Sequence, residues 1–309
     1  MTKSSQAQKK IGVLVAGVAA LAMGCGDASD RAGETTLDRV RREGVARVGY
    51  ANEAPYAYMD SQTGNLTGEA PEVARVVLKR MGVDRVEGVL TEFGALIPGL
   101  KAKRFDLIAA GMYITPERCR EIAFSNPTYG IGEAFALRAG NPLGLHSYED
   151  VKRHPKARLG VVAGTVERGY ARDVGIPDER VTVFPGAPSA LAGVEAGRVD
   201  AFAGTSLTVR DLLGKAQAGS LEGASPFTDP VIGGRAVRGY GAFGFRQEDA
   251  AFLREFNRHL GSFIGTQEHL SLVQPFGFTR AELPGGVTAE ELCVSPLLPT
   301  GAKRDAQTP

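Results

Sequence analysis

Arg118 follows an apolar run and a short turn, a setting in which a cation can bind an anionic ligand. The apolar run before Gly111 predicts a buried strand, and a glycine there allows the backbone to approach another group closely. Thr115 and Pro116 are typical of a helix N-cap and first turn. A helix start with Tyr113 and a forked guanidinium beside it suits a small carboxylate. From this stretch alone, the alternative is an ordinary junction whose arginine pairs with a neighbouring glutamate.

Glu53 and Tyr56 form a second group of this kind, because they follow the apolar strand predicted at residues 45–49. Open α/β sheets bind ligands beyond the carboxyl ends of their strands. These two residues are therefore candidate ligand contacts. The alternative is a solvated loop acid beside a tyrosine that packs in the core.

The first residues predict export. Three lysines precede an apolar stretch at residues 11–23, which is typical of a secretory signal at residues 1–24. The sequence around Cys25 resembles a bacterial lipobox, although Ala22 stands where leucine is usual, and ordinary signal cleavage is the alternative. Residues 25–36 are polar and predict a tether from a lipid anchor on Cys25. No later stretch approaches eighteen apolar residues, so we expect a periplasmic or extracytoplasmic protein without a transmembrane segment.

Charge and cysteine content narrow the function classes. The full chain has a net charge of +1, and loss of the signal's three lysines makes it slightly acidic, which argues against a nucleic-acid partner. With Cys25 lipidated, Cys119 and Cys293 remain, and they can pair in an oxidising periplasm; buried free thiols are the alternative. The four histidines show no metal-ligand spacing with the cysteines, so we expect neither a metal nor a cofactor.

The hydrophobic pattern divides the chain into two lobes. We predict lobe one at residues 37–138 and 239–288, lobe two at 139–238, and a flexible tail at 289–309. Apolar strands at 131–138 and 239–246 would cross between the lobes. Amphipathic helices are predicted at 37–43, 71–81, 93–103 and 251–264 in lobe one, and at 187–196 in lobe two.

A weak internal repeat supports two lobes of like design. Residues 99–111 resemble residues 193–205. The corresponding residues are Arg104 and Arg198, Asp106 and Asp200, and Gly111 and Thr205. Two similar lobes are expected to face each other across a cleft.

Several motifs together identify a family resemblance. They are Leu96-Ile-Pro-Gly-Leu100, Arg104-x-Asp106, Thr115-Pro-Glu-Arg118, Phe124-Ser125, Gly164-Thr165 and Gly244-Phe-Arg246. With these motifs, residues 37–283 resemble the family-3 solute-binding proteins of bacterial ABC importers. Five further segments resemble the ectoine/hydroxyectoine-binding branch: Asn52-Glu-Ala-Pro-Tyr56, Gly68-Glu-Ala-Pro-Glu72, Leu90-Thr-Glu-Phe-Gly94, residues 110–119 and Tyr129-Gly-Ile-Gly-Glu-Ala134.

The resemblance implies an α/β fold, the two-lobed type II periplasmic binding protein or Venus flytrap, with two crossing hinge strands. It also implies a monomer that delivers a small zwitterion to ABC permease subunits in the membrane. Arg118 would hold the ligand carboxylate, helped by the Gly111 backbone and by Thr165. Amino-acid binders of the family usually have an aspartate for the ligand's ammonium where this chain has Thr205.

Ectoine, a cyclic zwitterion and compatible solute, fits these residue types. Its carboxylate calls for Arg118, its delocalised amidinium for Glu53, and its soft cation for the rings of Tyr56, Phe93 and Tyr113. A polar amino acid is the alternative ligand. A second alternative is an enzyme like the periplasmic cyclohexadienyl dehydratases, with Glu53 or Glu133 as its acid, but the sequence has no evident Ser-His-Asp set, Cys-His pair or metal cluster. We therefore expect a binding protein and not an enzyme.

Overall fold

The computed structural model describes residues 33–294, which fold into helices and strands grouped around two sheets. The strands are β1 (Val45–Tyr50), β2 (Tyr58–Met59), β3 (Leu66–Thr67), β4 (Arg85–Leu90), β5 (Leu107–Tyr113), β6 (Ala123–Phe124), β7 (Tyr129–Ile131), β8 (Glu133–Arg138), β9 (Leu159–Val162), β10 (Val181–Phe184), β11 (Ala201–Thr205), β12 (Leu221–Gly223), β13 (Val231–Ile232), β14 (Arg235–Ala236) and β15 (Gly239–Phe245). The predicted signal at 1–24 and the proposed lipidation site Cys25 lie outside the described residues.

Eleven α-helices accompany these strands in the described part of the chain. They are α1 (Thr36–Glu43), α2 (Glu69–Arg80), α3 (Leu96–Lys101), α4 (Pro116–Cys119), α5 (Tyr148–Arg153), α6 (Glu167–Val174), α7 (Ala187–Glu195), α8 (Ser206–Lys215), α9 (Ala250–Gly261), α10 (Gln267–Val273) and α11 (Ala289–Val294). Within residues 33–294, none of them combines the length and apolar character that a bilayer-crossing helix requires.

The two sheets have the same design. In the first, the strand order is β4-β1-β5-β15-β6, with β7 also paired to β15, and in the second it is β10-β9-β11-β8-β12. Each has parallel strands on one side, where β1 pairs with β4 and β5, and β9 pairs with β10 and β11. Each also contains an antiparallel crossing strand, β15 beside β5 and β8 beside β11. The parallel strands therefore place the loops at their carboxyl ends on one edge of each sheet.

The internal repeat has a structural basis in its two aspartates. The carboxylate of Asp106 accepts a hydrogen bond from the Arg47 backbone N–H at 2.8 Å, and that of Asp200 accepts one from the Arg158 N–H, also at 2.8 Å. The backbone N–H of each aspartate donates to the carbonyl of the same arginine. Each aspartate thus joins the start of its own strand to the neighbouring strand, which sets the register in both lobes.

Helices bury apolar side chains on both faces of each sheet. In lobe one, Val77 of α2 and Phe256 of α9 lie in the cluster on one face, whereas Leu100 of α3 lies in the cluster on the other. The predicted helices at 37–43, 71–81 and 251–264 are present as α1, α2 and α9, each beginning one or two residues earlier. The helix predicted at 93–103 is instead a 3₁₀ turn followed by the short α3.

The first crossing between the sheets comes earlier than the sequence predicted. β7 pairs with β15 in the first sheet, but β8 pairs with β11 and β12 in the second. The chain therefore leaves lobe one at Gly132, and not after residue 138. The two strands are separated by Gly132 alone, without a polar turn, so the hydrophobic pattern does not mark this break. A side chain at Gly132 would also approach the Asp229 carboxylate to 2.8 Å.

The prediction of a flexible tail at residues 289–309 is wrong for the first six of these residues. Residues 289–294 form α11, and Leu292 is buried against lobe one. Cys293 is joined to Cys119 of α4 by a disulfide with a Cα–Cα distance of 5.7 Å. The sequence left this pairing and buried free thiols as alternatives, and the structure has the disulfide. The remaining residues of the predicted tail lie outside the described range.

We predict that the disulfide stabilises the fold. The double substitution C119S/C293S should lower the free energy of unfolding by about 2–4 kcal/mol, because the bond closes a long loop and holds α11 on α4. Thermal unfolding with and without a reducing agent measures this. Reduction should destabilise the wild-type protein and leave the double variant unchanged. Equal midpoints for oxidised wild type and variant would contradict the prediction.

Candidate functional site

The carboxyl end of β5 brings the backbone against two tyrosines. Gly111 has φ +65°, and a Cβ there would lie 2.6 Å from the ring of Tyr56 and 2.9 Å from the Tyr129 hydroxyl. That hydroxyl donates a hydrogen bond to the Gly111 carbonyl at 2.9 Å. Only glycine fits this position, because both the conformation and the space exclude a side chain.

Arg118 lies just beyond this point, at the third position of the short helix α4. Its backbone N–H donates to the Thr115 side chain. This N–H group of the helix start, which was expected to be open to a ligand carboxylate, therefore already has an acceptor. The guanidinium donates to the carbonyls of Tyr113 at 2.8 Å and Gly164 at 2.9 Å, and lies 5.5 Å from the centre of the Phe93 ring. Burial lowers the pKa of Arg118. A guanidinium has five N–H donors, so those not bonded to the two carbonyls can bind an anion.

Glu53 and Tyr56 reach across the cleft to lobe two. The Tyr56 hydroxyl donates to Thr205 Oγ1 at 2.8 Å, which in turn donates to Thr208 Oγ1 at 3.0 Å. The Thr208 hydroxyl then donates to the Glu53 carboxylate at 2.8 Å. Burial raises the pKa of Glu53 to about 7, against the effect of that hydrogen bond.

Aromatic rings form one wall of the site. Tyr56 stacks on Tyr129 with ring centres 5.3 Å apart, and Tyr113 meets Tyr129 edge-on at 6.4 Å. The Tyr113 hydroxyl is buried and has no hydrogen-bond partner among the described residues. Phe93 is buried at the start of the 3₁₀ turn before α3.

Thr165 lies at the lobe-two side of the site, in the turn before α6. Its hydroxyl donates to the Val162 carbonyl at 2.9 Å. The side chain therefore offers a ligand its oxygen, and not the proton that a ligand carboxylate would need.

These elements line one cavity. All eight residues singled out as ligand contacts line it, and Ala110, Val166 and Glu167 complete the lining. Arg118 and Glu53 thus lie in the same cavity. Among the described ion pairs there is none between them, because the guanidinium is held by backbone carbonyls and the carboxylate by a hydroxyl. Residues 33–294 contain no group of three acidic, histidine or cysteine side chains placed to hold a metal ion.

Comparison with protein-family models assigns the chain. Residues 46–277 match the model of the bacterial extracellular solute-binding proteins, family 3. The chain belongs to this family. The match confirms the resemblance noted in the sequence and, with the solved structures below, the α/β two-lobed fold of periplasmic binding proteins.

Relatives of known sequence and structure agree with this assignment. A probable amino-acid ABC transporter periplasmic-binding protein of Sinorhizobium fredii is 38% identical over 267 residues, 85% of this chain and 87% of that protein. The crystal structure of EhuB in complex with hydroxyectoine is 36% identical, with a TM-score of 0.76 over 84% of this chain and 98% of EhuB. An ancestral amino-acid-binding protein, AncCDT-1, described as a precursor of cyclohexadienyl dehydratase, is 26% identical, with a TM-score of 0.67 over 79% of this chain and 99% of that one.

Sequence reasoning missed three residues of this family member's cavity region. Glu167, the first residue of α6, is buried with one carboxyl oxygen unpartnered among the described residues, and burial raises its pKa. Thr208 and Tyr129 hold Glu53 and Gly111, respectively. Thr205 caps α8, a helix that was not predicted, and a threonine at the end of an apolar strand was the available signal for it. Glu133, the alternative catalytic acid, does not line the cavity.

The two lobes also touch through a pair of glycines. A Cβ built on Gly164 would lie 2.5 Å from the Cα of Gly94 in the opposite lobe. The Gly164 carbonyl accepts the hydrogen bond from Arg118 described above. Closure of the cleft therefore depends on the absence of a side chain at residue 164.

We predict that Gly164→Ala holds the lobes apart. Gly140→Ala is the matched control, because Gly140 has the same φ of +80° and no atom within 4 Å of its added Cβ. Both variants carry a conformational cost of about 1–2 kcal/mol, but only the first has a clash between lobes. Small-angle X-ray scattering should show a larger radius of gyration for G164A alone. The same radius for both variants would refute the role of this contact.

Proposed function

We propose that this protein is the extracytoplasmic solute-binding component of an ABC importer, and that its cleft binds a small zwitterion, foremost ectoine or hydroxyectoine. The observation that carries the proposal is a guanidinium and a carboxyl group lining one cavity without pairing with each other. A ligand with both charges supplies the missing partner to each. The similarity to EhuB, which binds hydroxyectoine, supports this choice.

The roles of the lining residues follow from their chemistry. Arg118 binds the ligand carboxylate, and Glu53 accepts hydrogen bonds from the ring N–H groups at the cationic end. Tyr56, Phe93 and Tyr113 present aromatic faces to the delocalised cation. The Gly111 backbone lies beside the carboxylate. Thr165 and Thr205 close the cavity from lobe two with neutral oxygens.

A polar amino acid is the second candidate. The relatives include the lysine/arginine/ornithine-binding periplasmic protein of Escherichia coli, 28% identical over 219 residues. Position 205 has threonine and not the usual aspartate, so it has no carboxylate for a primary ammonium. Glu167 has a carboxyl oxygen without a partner among the described residues, and this oxygen can accept from the ammonium instead. A thermal-shift panel of ectoine, hydroxyectoine, proline, glutamine, arginine and histidine separates the two classes. A shift with an amino acid and none with either ectoine would reject the first proposal.

An enzymatic role is tested separately. The similarity to the dehydratase precursor is a reason to incubate the protein with prephenate and assay for turnover. We expect no reaction. Turnover by the wild-type protein that Glu133→Gln abolishes would show that the protein is an enzyme, and would reject the proposed binding function.

We predict that Tyr113 contributes its ring and not its hydroxyl. Tyr113→Ala should weaken ectoine binding by about tenfold or more, since it removes an aromatic face from a desolvated cation. Tyr113→Phe is the matched control, because it keeps the ring and removes a hydroxyl that has no hydrogen-bond partner within residues 33–294. It should bind within about threefold of wild type. Isothermal titration calorimetry measures both, and unchanged affinity of Y113A would remove the aromatic cage.

We predict that binding strengthens as pH rises from 6 to 8. In the empty protein burial raises the pKa of Glu53 to about 7, so the group is largely protonated at pH 6. A cationic ligand favours the ionised form, so binding releases a proton. Affinity should therefore increase by about tenfold over this range and level off above it. Neither a carboxylate nor an amidinium on the ligand changes charge here.

Glu53→Gln is the control for this pH dependence. It cannot release the proton, so its weaker affinity should stay flat from pH 6 to 8. Calorimetry in buffers of different ionisation enthalpy also counts the proton directly. A wild-type affinity that does not change with pH would show that Glu53 does not meet the ligand's cationic end.

A further inference from the structure

A chain of three hydrogen bonds crosses the cleft from Tyr56 to Glu53. Tyr56, Thr205 and Thr208 each donate a hydroxyl proton to the next member, and the last acceptor is the Glu53 carboxylate. We call these four residues the cross-cleft chain. Its two ends belong to lobe one and its two middle members to lobe two.

Thr208 is the member that holds Glu53. It is 1% exposed and occupies the first turn of α8, where its backbone N–H donates to Thr205 Oγ1. Its hydroxyl accepts from Thr205 and donates its one proton to Glu53. Among the described residues, it is the one donor to the Glu53 side chain.

We propose that Thr208 is a positioning residue of the binding site: its hydroxyl holds the Glu53 carboxylate from the opposite lobe, facing the cationic end of the ligand. This inference rests on the proposed function. It deepens that function because recognition of the cation then requires the two lobes to be together. A ligand cation bound by Glu53 and closure of the cleft become one event.

The electrostatic surroundings explain why such a donor is needed. A carboxylate removed from water must have a hydrogen-bond donor or become protonated. No cation donates a hydrogen bond to Glu53, because the guanidinium of Arg118, which lines the same cavity, is held by backbone carbonyls. The other titratable groups that face Glu53 are acids and phenols. They are Glu167 of α6, Glu133 of β8, and the phenols of Tyr56 and Tyr129. Asp211 and Lys215 of α8 line a separate opening that Glu53 also borders.

Thr208→Val tests the hydroxyl at constant shape, and Thr208→Ser restores it. Thr67→Val is the matched control, because the Thr67 hydroxyl also donates to a glutamate, Glu72, at 3.0 Å but outside the cavity. Two quantities are measured for each variant. One is the pH midpoint of the Glu53 carboxyl carbon, followed by ¹³C NMR in the ligand-free protein and assigned with Glu53→Gln. The other is the calorimetric affinity for ectoine and hydroxyectoine.

The expected results distinguish positioning from packing. T208V should raise the Glu53 midpoint and weaken binding by about tenfold, because a hydrogen bond to the charged form is lost. T208S and T67V should match wild type in both measurements. A wild-type midpoint and affinity in T208V would overturn the proposal. Equal weakening in T208S and T208V, with an unmoved midpoint, would also overturn it, because the methyl group and not the hydroxyl would then matter.

The two measurements also separate this inference from the proposed function. If wild type binds neither ectoine nor hydroxyectoine, the proposed ligand is wrong. The NMR midpoint of the ligand-free protein still reports the Thr208 bond. A raised midpoint in T208V then supports the positioning of Glu53, and an unchanged one rejects it.

Discussion

A guanidinium and a carboxyl group held apart in one cavity are the constraint on which this structure depends. Removing a guanidinium and a carboxyl group from water is costly, and the simplest relief would be for the two to pair. Here the backbone carbonyls of Tyr113 and Gly164 hold Arg118, and Thr208 holds Glu53. The separation leaves a space with a positive and a negative end. That is the electrostatic complement of a zwitterion.

The fold provides this separation through two sheets of like design. In each, an aspartate at the start of a strand ties that strand to its neighbour, and the strand ends at the cleft. β5 ends at Tyr113 and β11 ends at Thr205, so the two lobes present corresponding strand ends to the same cavity. Because the chain crosses between sheets at Gly132 and again before β15, the lobes can approach without breaking either sheet.

The positions that the sequence proposed for the site follow apolar strands or open turns. The eight positions chosen from the sequence line a single cavity, although their binding roles stay proposals. The break at Gly132 was missed because only this glycine, and no polar turn, separates β7 from β8. Helix α11 was missed because a distant disulfide and one buried leucine secure it. Glu167 and Thr208 act on groups far away in sequence, and no spacing rule connects them.

The most direct test of the account is a crystal structure of the protein with ectoine. The account predicts the ligand carboxylate within about 3 Å of the Arg118 guanidinium and the ring N–H groups within about 3 Å of the Glu53 carboxylate, with Tyr113 against the ring. Ectoine bound in the reverse orientation would contradict it. So would ectoine bound outside the cavity, with Arg118 and Glu53 paired with each other.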